Sequence, residues 1–284
     1  MSGVGEDKAD RCDAAVTKLS TVSSQRRAHT GRHKALARTR TRRMQPVFHS
    51  ALRLLIRLRP LTICASSMAA PRPVDAPYAY VAGPGPDQVL LLGSDMAAGC
   101  GVLTHQLGLV GHISRQLSDI TGRGVELEAC AEAGITLNKL VECIQNLPPV
   151  RPGAVMVIVG VNDALRLTSA RAWRQDLQTL LDVIRGADAQ GIHTLVIGIP
   201  PLDAFGTLAP LRQRVIAQHA RLLNETSKRL CHNLTQVTFV PFLPAEPDRG
   251  PACGSSEAYQ NQSRDFVVPL AAALHCAVTS RGVV

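Results

Sequence analysis

Ser94 and Asp95 stand side by side just after a short apolar run, Val89 to Leu92, and between the glycines at 93 and 99. A serine hydroxyl cleaves esters through an acyl-enzyme when a neighbouring imidazole takes its proton and a carboxylate orients that imidazole. His105, near the start of a helical stretch, is the nearest imidazole in sequence, and its ordinary role there is packing or solvation. Ser94 likewise has an ordinary role, as a hydroxyl capping the helix that follows. Asn162 and Asp163 come directly after the apolar run Ala154 to Val159 and Gly160. Asp163 suits fixing its own loop by accepting backbone hydrogen bonds. Asp95 and Asp163 would hold a cation only if the fold brought them together, and no further ligand types accompany them. Asp248 and Cys253 lie in a late loop. A thiol does not serve as a neutral-pH general base in the way an imidazole does.

These residues need elements to position them, and the chain from about residue 88 supplies a regular alternation. Short apolar runs read as strands at Val89 to Leu92, Val125 to Cys130, Ala154 to Val159, His193 to Ile199 and Gln236 to Val240. Helical spacing falls between them, at Leu103 to Ile120, Ile135 to Leu147, Ser169 to Ala187 and Leu211 to Cys231, with a last helix from Ser255 to Val278. Apolar strands alternating with amphipathic helices predict a parallel sheet covered on both faces. Right-handed crossovers then give a flavodoxin-like, five-stranded, three-layer α/β/α sandwich. The functional edge of such a sheet lies at the carboxyl ends of its strands. His193, which opens a strand, therefore falls at the opposite edge.

Four segments occupy those carboxyl ends, and in this order they resemble the sequence blocks of the SGNH/GDSL-type hydrolases. The first block reads Gly93-Ser94-Asp95-Met96-Ala97-Ala98-Gly99, where the family usually has Gly-Asp-Ser-Leu and a later glycine. The second contributes Gly134. The third, Gly160-Val161-Asn162-Asp163, matches Gly-x-Asn-Asp in full. The fourth, Cys253-Gly254-Ser255-Ser256-Glu257-Ala258-Tyr259, fits the frame of Asp-x-x-His-Pro-Ser followed by a tyrosine. The resemblance implies oxyanion donors from the Gly134 backbone, the Asn162 side chain and a backbone N–H of the first block. It also puts Asp95 at the nucleophile position, Gly250 at the acid position and Cys253 at the base position. Ser94 is the transposed candidate nucleophile, His105 a candidate relocated base, and Asp248 a candidate relocated acid. The implied function is an ester hydrolase of the serine acylhydrolase class, acting on a small acyl ester with impaired activity. The alternative is a non-catalytic relative that binds an acyl or glycan ligand.

Composition bounds the rest. With 45% hydrophobic and only 3% aromatic residues, the core must be built from Leu, Val, Ile and Ala. Up to Asp75 the chain carries a net charge of about +10, and the remainder about −1. A basic balance suggests nucleic acid or an anionic surface, but that suggestion attaches to the front of the chain alone. Residues 1–50 lack periodicity and offer no aromatic but Phe48 for stacking, so they read as a basic disordered segment rather than a nucleic-acid module. Residues 51–87 read as a linker or strap rich in proline and alanine, and 88–284 as the hydrolase-like domain.

Eight scattered cysteines without a C-x-x-C pair argue for reduced thiols, and against zinc or a disulfide framework. No metal or cofactor is expected. Met1 and Met44 both stand as candidate starts; from Met44, the stretch 53–70 faintly resembles a signal peptide, although arginines interrupt it. No run approaches the roughly 18 apolar residues of a membrane span. The reading is a soluble, cytoplasmic chain.

Overall fold

The computed structural model describes residues 70–145, 152–187, 192–202, 210–243 and 254–281. The basic segment 1–50, Asp248, Gly250 and Cys253 lie outside the described residues. The strands are β1 (Tyr78–Val81), β2 (Asp87–Ser94), β3 (Val125–Glu132), β4 (Ala154–Ile158), β5 (His193–Ile197) and β6 (Val237–Val240). The helices are α1 (Leu109–Thr121), α2 (Leu137–Gln145), α3 (Val161–Leu165), α4 (Ala170–Gly186), α5 (Pro210–His232) and α6 (Ser256–Arg281).

The sheet runs β1-β3-β2-β4-β5-β6, with every neighbouring pair parallel except β1 with β3. The five expected strands thus take the flavodoxin order. An antiparallel edge strand is added within the proline-rich stretch, Tyr78 opposite Glu128 and Val81 opposite Val125. Its four residues sit between Pro77 and Pro84, so no alternation long enough to read as a strand survives in the sequence.

Period-2 alternation sends the two sides of each strand into different cores. Val89 and Leu91 of β2, with Ala154 and Met156 of β4, pack against α1 and α6 through Ile113, Leu117, Phe266 and Leu270. Leu92, Val155 and Val157 pack on the other face against α2, α4 and α5. Helices therefore cover both faces, which makes three layers. Burying each large aliphatic side chain contributes roughly 1.5–3 kcal/mol, so the two clusters hold the sandwich together.

Local chemistry sets several helix ends. Ser169 caps α4, its hydroxyl accepting the Ala172 N–H at 3.2 Å. Trp173, the chain's one tryptophan, is buried under α5 and satisfies its indole N–H on the Ser227 hydroxyl at 2.9 Å. The first helix starts later than its spacing predicts: a single 3-10 turn, His105–Leu107, precedes α1, and extended Gly108 separates the two. Short α3 has too few residues to show a helical period.

Leu180 is fully buried between α4 and the sheet. Leu180→Ala is expected to lower the unfolding free energy by about 2–5 kcal/mol, seen as a reduced Tm. A variant melting with the wild type would contradict this packing.

Candidate active site

The carboxyl ends of β2, β3 and β4 meet at one carboxylate. Asp95 follows the last residue of β2 with φ of 39°, in the left-handed region that non-glycine residues rarely enter. Its carboxylate accepts the Gly134 backbone N–H on Oδ1 at 3.0 Å and the Asn162 Nδ2–H on Oδ2 at 2.6 Å. Asn162 Nδ2 also donates to the Ile135 carbonyl at 3.2 Å, so both of its amide hydrogens are directed. Gly134 has φ of 80°, and the turn after β3 needs a glycine there to present that N–H. The turn after β2 closes through Ala97 N–H on the Ser94 carbonyl and Cys100 N–H on the Asp95 carbonyl.

Ser94 and Asp95 have opposite environments. Ser94 is still in the ladder, in register with Glu132 of β3, and is buried at 4% exposure. Asp95 is half-buried and faces the two donors. Gly93 just before them tolerates no side chain, because a Cβ there would lie 2.1 Å from the Ile158 carbonyl oxygen of β4. β2 and β4 therefore run tightly together up to the turn, which leaves the turn little freedom to slide.

Asp163 is used elsewhere. Its carboxylate accepts the Leu137 N–H at 2.9 Å and the Thr168 hydroxyl at 3.0 Å, tying the start of α2 to the loop after α3. Thr168 is held in turn from α5, where His219 Nε2–H donates to its carbonyl at 2.7 Å. Asp95 and Asp163 thus serve two separate donor sets. Among the described residues no cluster of three or more His, Cys, Asp or Glu is arranged to hold a metal ion.

His105 has a carboxylate partner that the sequence did not suggest. Asp75 accepts the His105 backbone N–H through both oxygens, at 2.9 and 3.0 Å, and its Oδ1 lies 3.0 Å from His105 Nδ1. A carboxylate can only accept, so Nδ1 carries a proton and Nε2 is the ring nitrogen left facing away from Asp75. Desolvation raises the Asp75 carboxyl, but the hydrogen bonds from the His105 backbone and ring outweigh it and hold the group below its ordinary value. Neighbouring bonds clip the same stretch down: Gly101 N–H to the Pro71 carbonyl at 2.8 Å and Val74 N–H to the Leu103 carbonyl at 3.4 Å.

A serine–histidine pair lies nearby, also unforeseen. His112 Nε2 is 3.0 Å from the Ser256 hydroxyl, and Arg115 Nη2 lies 3.1 Å from His112 Nδ1. Arg115 can only donate, so Nδ1 holds the lone pair and Nε2–H points at Ser256. Desolvation first and the Arg115 charge second push the His112 pKa down, favouring this neutral form. In this tautomer the imidazole donates to the Ser256 hydroxyl. The pair joins α1 to the start of α6, where Tyr259 also donates its hydroxyl to the Cys100 carbonyl at 2.5 Å. The loop that follows the first block touches the fourth directly, since a Cβ on Gly101 would lie 2.3 Å from the Gly254 Cα. Residues 144 apart make the His112–Ser256 contact, and no local pattern could announce it.

Burial pushes the Asp163 carboxyl up to about 6, against the opposing hydrogen bonds from Leu137 and Thr168. A raised folded-state pKa means that the native state binds a proton more tightly than the unfolded chain between about pH 4 and 6. Stability from this group is therefore present at low pH and lost as pH rises through 6. Relative to Asp163→Asn, the wild type is expected to gain up to about 3 kcal/mol between pH 7 and pH 4 in denaturant titrations. A difference that stays flat with pH would contradict this.

Comparison with known proteins agrees with this architecture. The sequence pattern of the GDSL-like Lipase/Acylhydrolase family matches residues 91–274. No curated protein matches the chain. Among solved structures, TesA is 20% identical over 66% of this chain and 98% of its own, with a TM-score of 0.50. The lipase Lip_vut3 from a goat rumen metagenome is 15% identical, covering 64% of this chain and 96% of its own, with a TM-score of 0.49. AlinE4, an SGNH-hydrolase family esterase, is 19% identical over 67% and 98%, with a TM-score of 0.47. The family pattern spans more than half of the 284 residues, over the same strands and loops that build the site, and the chain belongs to the GDSL-like lipase/acylhydrolase family.

Proposed function

We propose that this chain carries a carboxylic-ester hydrolase site of the GDSL type in which serine acyl transfer is impaired. The observation that supports this is the Asp95 carboxylate resting on the Gly134 N–H and the Asn162 Nδ2–H. In the family's chemistry those donors stabilise the oxyanion of the acyl intermediate. One such donor is commonly worth about 3 kcal/mol of transition-state stabilisation. A carboxylate already bound to them forms charge-assisted hydrogen bonds, and a substrate carbonyl would have to displace it.

The other assignments rest on placement. Ser94, the transposed candidate nucleophile, lies buried in the β2 ladder one residue short of the family position, so acyl transfer through it is not expected. His105 remains the candidate relocated base, supported by the proton fixed on Nδ1 by Asp75, which leaves Nε2 able to accept. Asp163 is a positioning residue that holds the Asn162 loop through Leu137 and Thr168. The ligand class is a small acyl ester. The same filled donors favour, as a second reading, a non-catalytic pocket for an acyl or glycan ligand.

Fluorophosphonate labelling and p-nitrophenyl acetate turnover test the proposal. The wild type is expected to show no label on Ser94 and turnover close to that of buffer, unchanged in Ser94→Ala. In the double variant Ser94→Asp/Asp95→Ser, which restores the family order and vacates the donors, label is expected at position 95. Labelled Ser94 in the wild type, with turnover abolished by Ser94→Ala, would overturn the proposal.

A further inference from the structure

Asp95 is itself a nucleophile placed where the family presents one, and its chemistry differs from that of serine. A carboxylate attacks a carbonyl to little effect, because the anhydride formed is less stable than the ester. On a saturated carbon bearing a good leaving group it forms a stable ester. Three features of this site suit that step. The side chain is half-buried at the strand end, which strips part of the hydration that blunts an exposed carboxylate. Each oxygen accepts one hydrogen bond among the described residues, so each keeps a lone pair for attack. The two bonds are unequal, 3.0 Å to Oδ1 and 2.6 Å to Oδ2, which makes Oδ1 the freer oxygen.

From this geometry we infer that Asp95 is a covalent alkyl-acceptor site, taking a small electrophile whose saturated carbon carries a stable-anion leaving group, such as an alkyl sulfonate or halide. The inference rests on the preceding reading that Asp95, rather than a substrate oxyanion, holds the Gly134 and Asn162 donors.

Oδ1 bonds to the electrophilic carbon, the bond from that carbon to the leaving group breaks, and its electron pair departs with the sulfonate or halide. No proton moves, so no general acid is required. The product is an ester on Asp95, with Oδ2 as its carbonyl oxygen and the Asn162 amide still donating to it. Water then adds at Cγ and the acyl–oxygen bond breaks. The alcohol leaves with one proton of that water, the other is released to solvent, and the carboxylate is regenerated with the water's oxygen. In that second step the oxygen on Asn162 carries the developing negative charge, so the amide acts as a one-donor oxyanion site.

The test uses the intact chain, with its cysteines first capped by N-ethylmaleimide, treated with methyl 4-nitrobenzenesulfonate and mapped by peptide mass spectrometry. Asp95 is expected to gain a methyl group that hydroxylamine removes, as an ester does and a thioether does not. Its labelling is expected to be at least about tenfold faster than that of exposed Asp119 in the same molecules, from desolvation and orientation. Labelling no faster than Asp119 overturns the inference, and this internal comparison needs no variant to fold. In Asn162→Ala the methyl ester is expected to persist about 100-fold longer; an unchanged lifetime overturns the role given to Asn162. A parallel fluorophosphonate sample separates the two readings, because Ser94 and Asp95 modifications are resolved by fragment ions. Labelled Ser94 with reactive Asp95 overturns the serine reading alone. Unlabelled Ser94 with inert Asp95 overturns the alkyl-acceptor inference alone.

Discussion

The carboxylate of Asp95, held by a backbone N–H from the β3 end and a side-chain amide from the β4 end, ties three strand termini into one cluster. Two hydrogen bonds to a charged acceptor in a partly buried place are stronger than ordinary ones, and each fixes a loop that sequence separation alone would leave loose. The left-handed backbone at Asp95 carries a cost of order 1 kcal/mol or more, which the surrounding contacts sustain. The Gly93 approach to β4 and the Asp95 carbonyl bond to Cys100 hold the turn in that conformation.

Around this cluster lies a shell of contacts between distant segments. The proline-rich stretch before β1 is bonded to the loop after Asp95 through Pro71, Val74 and Asp75. The start of α6 is bonded to the same loop through Tyr259 and to α1 through Ser256. The first-block loop is thus clamped from two sides, one antecedent and one distal in sequence. Asp163 does the equivalent for the loop that carries Asn162, with a carboxyl that burial pushes up against its two hydrogen bonds.

Much of the fold was legible beforehand because burial has a period. β4 is apolar throughout and β5 from Leu195 on, as strands covered on both faces require, and α4 shows its inner stripe at Trp173, Leu177, Leu180, Leu181 and Ile184. The edge strand β1 was not legible, since its short stretch, flanked by prolines, shows no period until β3 pairs with it. The start of α1 was misplaced because helical spacing continued through a stretch that turns as a 3-10 helix and then extends at Gly108. The positions of Gly134 and Asn162 as donors came through a motif. The identity of their acceptor did not.

The sequence alone determined which groups exist and which strand each one follows. Residue order fixes the strand ends and places Ser94 and Asp95 one residue apart at the first of them. Only the tertiary structure decided that Asp95 faces the donors while Ser94 stays in the ladder, that His105 is paired with Asp75, and that His112 donates to Ser256. The reason is physical: those contacts join residues 39, 67, 30 and 144 positions apart. Their geometry depends on how crossovers bring strand ends together, which local propensity does not encode.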